Sequence, residues 1–483
     1  MDDLKSKALN STFWSFVETF GNQGFQFIVG IILARLLLPE DYGLIGVLAI
    51  FIGIAGVLVD SGFKTSIIRS QDLTDVDCST IFYVNLFVSI IVALLLFAFA
   101  NGIAVYFQKP ELAHVTRVLA LIPVINGFGL VQSALLLKNL QFKRNALISI
   151  TSNVISGGLA IFLAFKGFSY WALVWRAILS AGIFTTLLWV SSNWRLKFIF
   201  SLEILKKHFK FSSRLLLTGM LDSFFDNIYS FIFGKYFSFK ELGFFTRGKG
   251  FVDMVTRTLS VTIQKVNTPL LAASGKEDEY KINAYSKLLR ATALLIFPAT
   301  VLLVVVAEPM IVFLIGEKWL PAVSFLQILA IAGLTYPITN ANSSLFEVLG
   351  HSNIILKIAL ISRPIQLIIL IISINFNAHI VAWGIVTHQI ILLGISYYYI
   401  NNLLKQKILG TLKNLIPAVS ISLSMGFIVY LAGLFFSSFF NPGVLFAVQL
   451  ASGFLISIFL LWLFRISEFN LLKKLIINIL VKV

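Results

Sequence analysis

GNQGFQFIVGIILARLLLPEDYGLIGVLAIFIGIAGVLVDSGFKTSIIR, residues 21–69, reads as two apolar runs joined by a short polar turn. Arg35 is the only charge between Gly21 and Leu38, and none falls between Asp41 and Asp60. About 20 consecutive apolar residues make a helix long enough to cross a bilayer's hydrocarbon core. Runs of this kind recur along all 483 residues, of which 58% are hydrophobic and 12% charged, with a mean hydropathy of +0.91. A soluble domain is about 25% charged. A water-facing surface could not be made from this chain, so the bilayer must serve as solvent for its outer face. The runs are continuously apolar and do not alternate with a period of two, which excludes a β-barrel.

The expected fold is all-α, a polytopic membrane protein of about fourteen transmembrane helices. The spans fall near 12–37, 43–66, 79–106, 113–137, 146–166, 169–191, 212–236, 242–268, 286–308, 320–347, 354–375, 379–401, 412–436 and 442–464. The eighth is the most charged, with Arg247, Lys249, Asp253 and Arg257. With a cytoplasmic N-terminus, 26 Lys and Arg residues collect on the cytoplasmic side against 6 on the other, a positive-inside pattern. Much of the net charge of +16 is therefore topology, and no nucleic-acid partner is implied. Both termini are expected in the cytoplasm. The N-terminus lacks a cleavable signal pattern, and the single Cys78 argues against disulfides and thiolate metal sites. The outer loops are short. Two longer cytoplasmic stretches, NWRLKFIFSLEILKKHFKF (193–211) and the tail RISEFNLLKKLIINILVKV (465–483), mix Lys with apolar residues. They read as ordinary anchors and an inter-lobe hinge, or as interfacial helices on an anionic leaflet.

An internal repeat organises the chain. ILARLLLPEDYGLIG (32–46) pairs with IFGKYFSFKELGFFT (232–246), matching Arg35 with Lys235, Asp41 with Glu241 and Gly43 with Gly243. QSALLLKNLQFKRNALI (132–148) pairs with NSSLFEVLGHSNIILKIALI (342–361) at an offset near 210. Two pseudo-symmetric six-helix lobes follow, 1–195 and 196–408, with 409–483 holding two added helices and an amphipathic tail. Two such lobes suit alternating access.

Ionisable residues inside spans are candidate functional sites, because an ion in hydrocarbon costs several kcal/mol unless a wet cavity or a partner receives it. Arg176, Arg247, Arg257 and Arg363 would give a cavity between lobes an anion-reading character, since guanidinium matches phosphate oxygens bidentately. Glu18, Asp222, Asp226 and Asp253 would be charge partners or sites of H⁺ or Na⁺ coupling; the alternative is ion pairs that merely join bundles. Arg117 and Lys249 can snorkel, and Asp60 can pair with Lys64. Gly21, Gly24, Gly30, Gly53, Gly56, Gly157 and Gly158 read as packing residues before hinges, and Pro298 as a bend. No Walker sequence, HExxH, GxSxG or Cys/His cluster is present, so no cofactor or metal is expected. Glu40 and Asp41 admit a glycosyltransferase reading, but the chain lacks the extracytoplasmic mass to hold an acceptor.

The pattern ARxLxPxDYG, followed by a helix ending in DxGxxxxxIR, and the segment LLLKNLQFKRNALI (135–148) resemble the Wzx-type polysaccharide flippases of the multidrug/oligosaccharidyl-lipid/polysaccharide superfamily. The resemblance implies a non-enzymatic flippase of the bacterial inner membrane. It would carry polyprenyl-pyrophosphate-linked oligosaccharide outward for O-antigen, capsule or exopolysaccharide synthesis, beside a polymerase and chain-length proteins. The arginines above would meet the pyrophosphate, and membrane lipid would hold the tail. Arg35, Asp41, Asp60 and Arg69 belong to the shared pattern and are expected to act in gating or structure. The drug-exporting branch uses carboxylates near helices one and seven, so Glu18, Asp222 and Asp226 keep an H⁺- or Na⁺-coupled drug antiporter as the alternative, with a non-transporting scaffold behind it.

Overall fold

A computed structural model describes residues 2–273, 278–404 and 415–464; side chains are described for these except 2–13, 15–16, 257, 261–273, 278–282, 352 and 404. Among the described residues every regular element is helical. Helices α1 (Asp2–Leu36), α2 (Pro39–Asp60), α3 (Phe63–Arg69), α4 (Asp75–Tyr106), α5 (Glu111–Leu119), α6 (Leu121–Lys138), α7 (Phe142–Phe165) and α8 (Trp171–Ser191) precede the long pair α9 (Leu202–Tyr236) and α10 (Phe239–Ala273). Then come α11 (Asp278–Val305), α12 (Ala307–Ile315), α13 (Ala322–Gly333), α14 (Tyr336–Val348), α15 (Ser352–Ile374), α16 (Ala378–Leu404), α17 (Ile416–Phe436) and α18 (Pro442–Leu463).

The segments paired as repeats occupy like places in the helices. Helices α1 and α9 are each 35 residues long, and α2 and α10 begin at Pro39 and Phe239. Helices α7 and α15 begin at 142 and 352, each after a left-handed turn residue, Leu140 (φ 55°) and Gly350 (φ 76°).

Eleven stretches among the described residues are long and apolar enough to cross a membrane. Burial runs inside out. On α4, Phe87, Leu94, Phe97 and Phe99 are exposed, while Asn85 and Ser89 on the same helix are fully buried. In water that apolar face would aggregate; in lipid it is solvated, and the polar groups turn inward to find partners. Asn85 donates to the Val59 carbonyl and Ser89 to the Asn85 carbonyl at 2.7 Å. Small residues let the helices approach. A Cβ on Gly157 would stand 2.8 Å from Val29, and one on Gly127 only 2.4 Å from Ser89 Oγ.

The stretch expected to hold anchors and a hinge, or an interfacial helix, has two parts. Residues 192–201 are non-helical, and Lys197 reaches Asp75 at 2.5 Å. The Ser201 hydroxyl accepts from the Ile204 N–H and caps α9, which runs on unbroken because no Gly or Pro occurs from 202 to 218. The tail at 465–483 lies outside the described residues. The chain divides into two compact units, Met1–Gly243 and Phe244–Val483. In the first, a cluster of Phe63, Ile67, Cys78, Ile81, Phe82 and Val131 ties α3, α4 and α6 together. In the second, Tyr285 donates to Asn342 (2.6 Å), which donates to Ser396 (2.8 Å), joining α11, α14 and α16.

Candidate functional site

Within the first unit, the start of α2 meets the start of α10. The Asp41 carboxylate accepts from the Leu38 N–H at 2.8 Å and from the Ser169 hydroxyl, capping α2 while buried. Glu241 repeats the cap on α10, accepting from the Ser238 N–H at 3.3 Å. Between these caps the two backbones touch. A Cβ on Gly43 would lie 1.8 Å from the Phe239 carbonyl oxygen, and one on Gly243 would lie 1.9 Å from that of Pro39. The contact is reciprocal between repeat-related positions, and only a residue without a side chain fits at either. Lys109 stands 5.6 Å from the Phe239 ring, and Arg35 closes the last turn of α1, exposed.

A polar ladder joins α1 to α7. Asn145 donates to Glu18 (2.8 Å), Asn22 to Ser149 (2.8 Å) and Asn153 to Asn22 (2.9 Å). Glu18 thus has an amide partner inside the unit. Asp60 and Lys64 line a cavity of about 210 Å³ together with Asn126, Ser133 and Thr185. Arg69 stacks over the Phe211 ring at 4.9 Å.

A third cluster was not anticipated from the sequence. His208 Nδ1 lies 2.7 Å from Ser66 Oγ, and its Nε2 lies 3.1 Å from Asp77 Oδ1. The order of groups is that of a nucleophilic triad, but Ser66, His208 and Asp77 are 6%, 2% and 4% exposed. A substrate has no approach to Ser66, so the trio acts as a buried bridge between α3, α4 and α9. In the sequence, His208 sits inside the basic run KKHFK and gives no sign of a partner.

The embedded charges divide between the units. Arg176, half-buried on α8, and Asp222 and Asp226, exposed on α9, belong to the first. Arg247, Asp253 and Arg363 belong to the second; Arg257 is on α10, and its side chain lies outside the described residues. Lys249 pairs with Asp253 at 2.7 Å, one turn apart, and Arg363 donates to Gln366 at 3.1 Å. Among the described residues no group of three His, Cys, Asp or Glu side chains could hold a metal.

The model of a family described as polysaccharide biosynthesis protein matches residues 32–324, more than half of the chain. The chain belongs to this polysaccharide biosynthesis protein family. Among curated relatives, the teichuronic acid biosynthesis protein TuaB of Bacillus subtilis (strain 168) is 27% identical over 302 residues, 62% of either chain. The succinoglycan biosynthesis transport protein ExoT of Rhizobium meliloti (strain 1021) is 25% identical over 66% of this chain and 65% of its own. The matches thus span a little under two thirds of those two relatives. The lipopolysaccharide biosynthesis protein WzxC of Escherichia coli (strain K12) is 25% identical over 73% of this chain and 72% of its own. The fold is that of the lipid II flippase MurJ in an inward closed conformation, with TM-score 0.78 and 15% identity over 96% of this chain and all of MurJ. An inward-facing MATE transporter of the MOP superfamily follows at TM-score 0.63 and 18% identity, over 78% of this chain and 93% of its own. The family member described here is a multi-pass membrane protein.

Proposed function

We propose that this chain is a flippase that moves polyprenyl-pyrophosphate-linked oligosaccharide units across a bacterial inner membrane by alternating access, for surface polysaccharide synthesis. The observation that carries this reading is family membership, joined to relatives named for polysaccharide biosynthesis and, in ExoT, for its transport. The long polar helices α1, α9 and α10 would complete fourteen spans with the eleven apolar ones. Residues 1–195 and 196–408 would be the moving lobes, followed by 409–483. Arg176, Arg247, Arg257 and Arg363 would receive the pyrophosphate, as the chemistry of guanidinium and phosphate favours. Glu18, Asp222, Asp226 and Asp253 would balance those charges or couple transport to H⁺ or Na⁺. Arg35, Asp41, Asp60 and Arg69 would shape or gate the path. Both termini would be cytoplasmic, a polymerase and chain-length proteins would take the product, and the chain itself would catalyse no bond change.

The test is reconstitution into liposomes with a fluorescent polyprenyl-pyrophosphate oligosaccharide, comparing wild type with Arg176→Ala, Arg247→Ala, Arg257→Ala and Arg363→Ala. Flipping that falls by about tenfold or more in folded arginine variants supports the reading. Flipping that survives all four removes the arginines from the site. Failure of wild type to flip, with cation-coupled drug export that depends on Asp222 and Asp226, would replace the reading with the antiporter.

A further inference from the structure

Repeat-related amides at 132 and 342 have opposite fates. Asn342 is fully buried and satisfied on both atoms, by Tyr285 and Ser396. Gln132 is also fully buried, yet neither its Oε1 nor its Nε2 has a partner. A buried amide left dry loses its hydration without compensation, so Gln132 calls for an occupant beside it. It lines a cavity of about 330 Å³ walled by the start of α4, the α6–α7 turn and the end of α8, a volume in the usual range for small-molecule sites, about 300–1,000 Å³. The Trp194 indole N–H, also buried and unpartnered, is on the same wall, with Asn139, Gln141, Arg144 and Asp75 around it.

We propose that this cavity binds a glycosyl group, a sugar-sized neutral polyol, on the side of the membrane where the basic loops lie. The chemistry selects that class. Side-chain amides present a donor and an acceptor together, as vicinal hydroxyls do. The lining itself holds one guanidinium, Arg144, and one carboxylate, Asp75, and Lys197, which pairs with Asp75 from outside the lining, adds a single cation, so the site lacks the cluster of cations a phosphate would demand. The lining is too polar for a lipid tail. The glycosyl group can come from a soluble sugar or from the lipid-linked glycan, and the second source rests on the flippase reading above.

The full-length protein, purified in a detergent without a sugar headgroup, is titrated with glucose, N-acetylglucosamine and galactose by saturation-transfer NMR. Wild type is expected to bind at least one of them. Gln132→Leu, which is nearly isosteric, and Trp194→Phe, which removes the indole N–H but keeps an aromatic ring, are expected to weaken binding by about tenfold. The thermal midpoint of Gln132→Leu is expected to hold or rise. Absence of sugar binding in wild type overturns the proposal. Undiminished binding in both variants, or a lower midpoint in Gln132→Leu with sugar binding kept, does the same. With binding lost, a parallel loss of liposome flipping by Gln132→Leu assigns the site to the lipid-linked glycan, and unchanged flipping assigns it to a soluble sugar. Sugar binding by a wild type that flips nothing counts against the flippase reading alone.

Discussion

At the scale of single residues, depth decides which polar contacts matter. Lys197 and Asp75 form an ion pair with side chains 55% and 49% exposed. Exposed pairs contribute about 0–1 kcal/mol, so Lys197→Ala should leave the unfolding midpoint nearly unchanged. His208 is the opposite case. Its removal strips a partner from a buried carboxylate and a buried hydroxyl at once, although Asp77 keeps the Thr74 N–H at 2.9 Å. His208→Ala should therefore cost about 1–3 kcal/mol, read as a clear drop in midpoint for the detergent-solubilised chain. Equal midpoints for the two variants would show that the trio does not hold α9 in place. This cluster was illegible in the sequence for a physical reason. Ser66, Asp77 and His208 lie up to 142 positions apart, each inside a segment whose own pattern already has an ordinary explanation. The embedded arginines were legible because their cost in hydrocarbon makes each conspicuous alone, but their partners cannot be read from a linear string. The Asp41 side chain caps its helix and takes Ser169, a contact that its own segment does not announce.

Among the elements, helix pairing is set by close approach and only adjusted by polar contacts. The ladder from α1 to α7 looks substantial on paper, yet hydrogen bonds between helices in membranes average about 0.6 kcal/mol in measured cycles, because the separated helices find other partners. A double-mutant cycle on Asn22→Leu and Asn153→Leu should give a coupling near that value. A coupling above about 2 kcal/mol would mean that the ladder dominates the pairing. Glycine contacts are stricter. Ala is favoured over Gly by about 1 kcal/mol in a helix interior, and nothing lies within 4 Å of a Cβ built on Gly24 or Gly56, so Ala at either should be neutral or mildly stabilising. At Gly43 the added carbon would meet the Phe239 carbonyl oxygen, a backbone atom that cannot swing aside. Gly43→Ala and Gly243→Ala should therefore each separate α2 from α10 and lower flipping at least tenfold. Wild-type activity in both would show that this crossing opens freely. The sequence places most span ends to within a few residues, because apolar run length and flanking polar turns are local properties, but it reads α2–α3, α5–α6 and α13–α14 each as one span and gives α12 no span of its own. It misses the starts of α1 and α9 by ten residues each and that of α11 by eight, since a charged amphipathic first turn carries no hydropathy signal.

For the whole molecule the leading question is which way the chain threads the membrane, and it is answerable without any substrate. The fold is indifferent to sidedness; orientation is expected from the distribution of Lys and Arg, 26 against 6. Helix α7 is the convenient ruler. It runs from Phe142 to Phe165, 24 residues or about 36 Å, enough to cross the core with some tilt. Its first turn holds Lys143 and Arg144, and the loop after it contains only Lys166 before the α8 apolar run. Cys78 is the one cysteine, so Cys78→Ser gives a background free of thiols. On that background, Phe168→Cys should react with a membrane-impermeant maleimide in intact spheroplasts, and Lys143→Cys should react only after permeabilisation. Both positions are solvent-facing, Phe168 at 49% exposure, so access to the reagent is not limiting on either side. The reverse labelling would invert the topology. The 210 Å³ and 330 Å³ cavities would then face the opposite compartments, and a cytoplasmic glycosyl site would have to be abandoned even though every helix stayed where it is. Labelling of both positions in intact spheroplasts would remove α7 from the set of spans. In that case the even count needed to return each repeat to its starting side would fail, and with it the argument that the two repeats are parallel lobes.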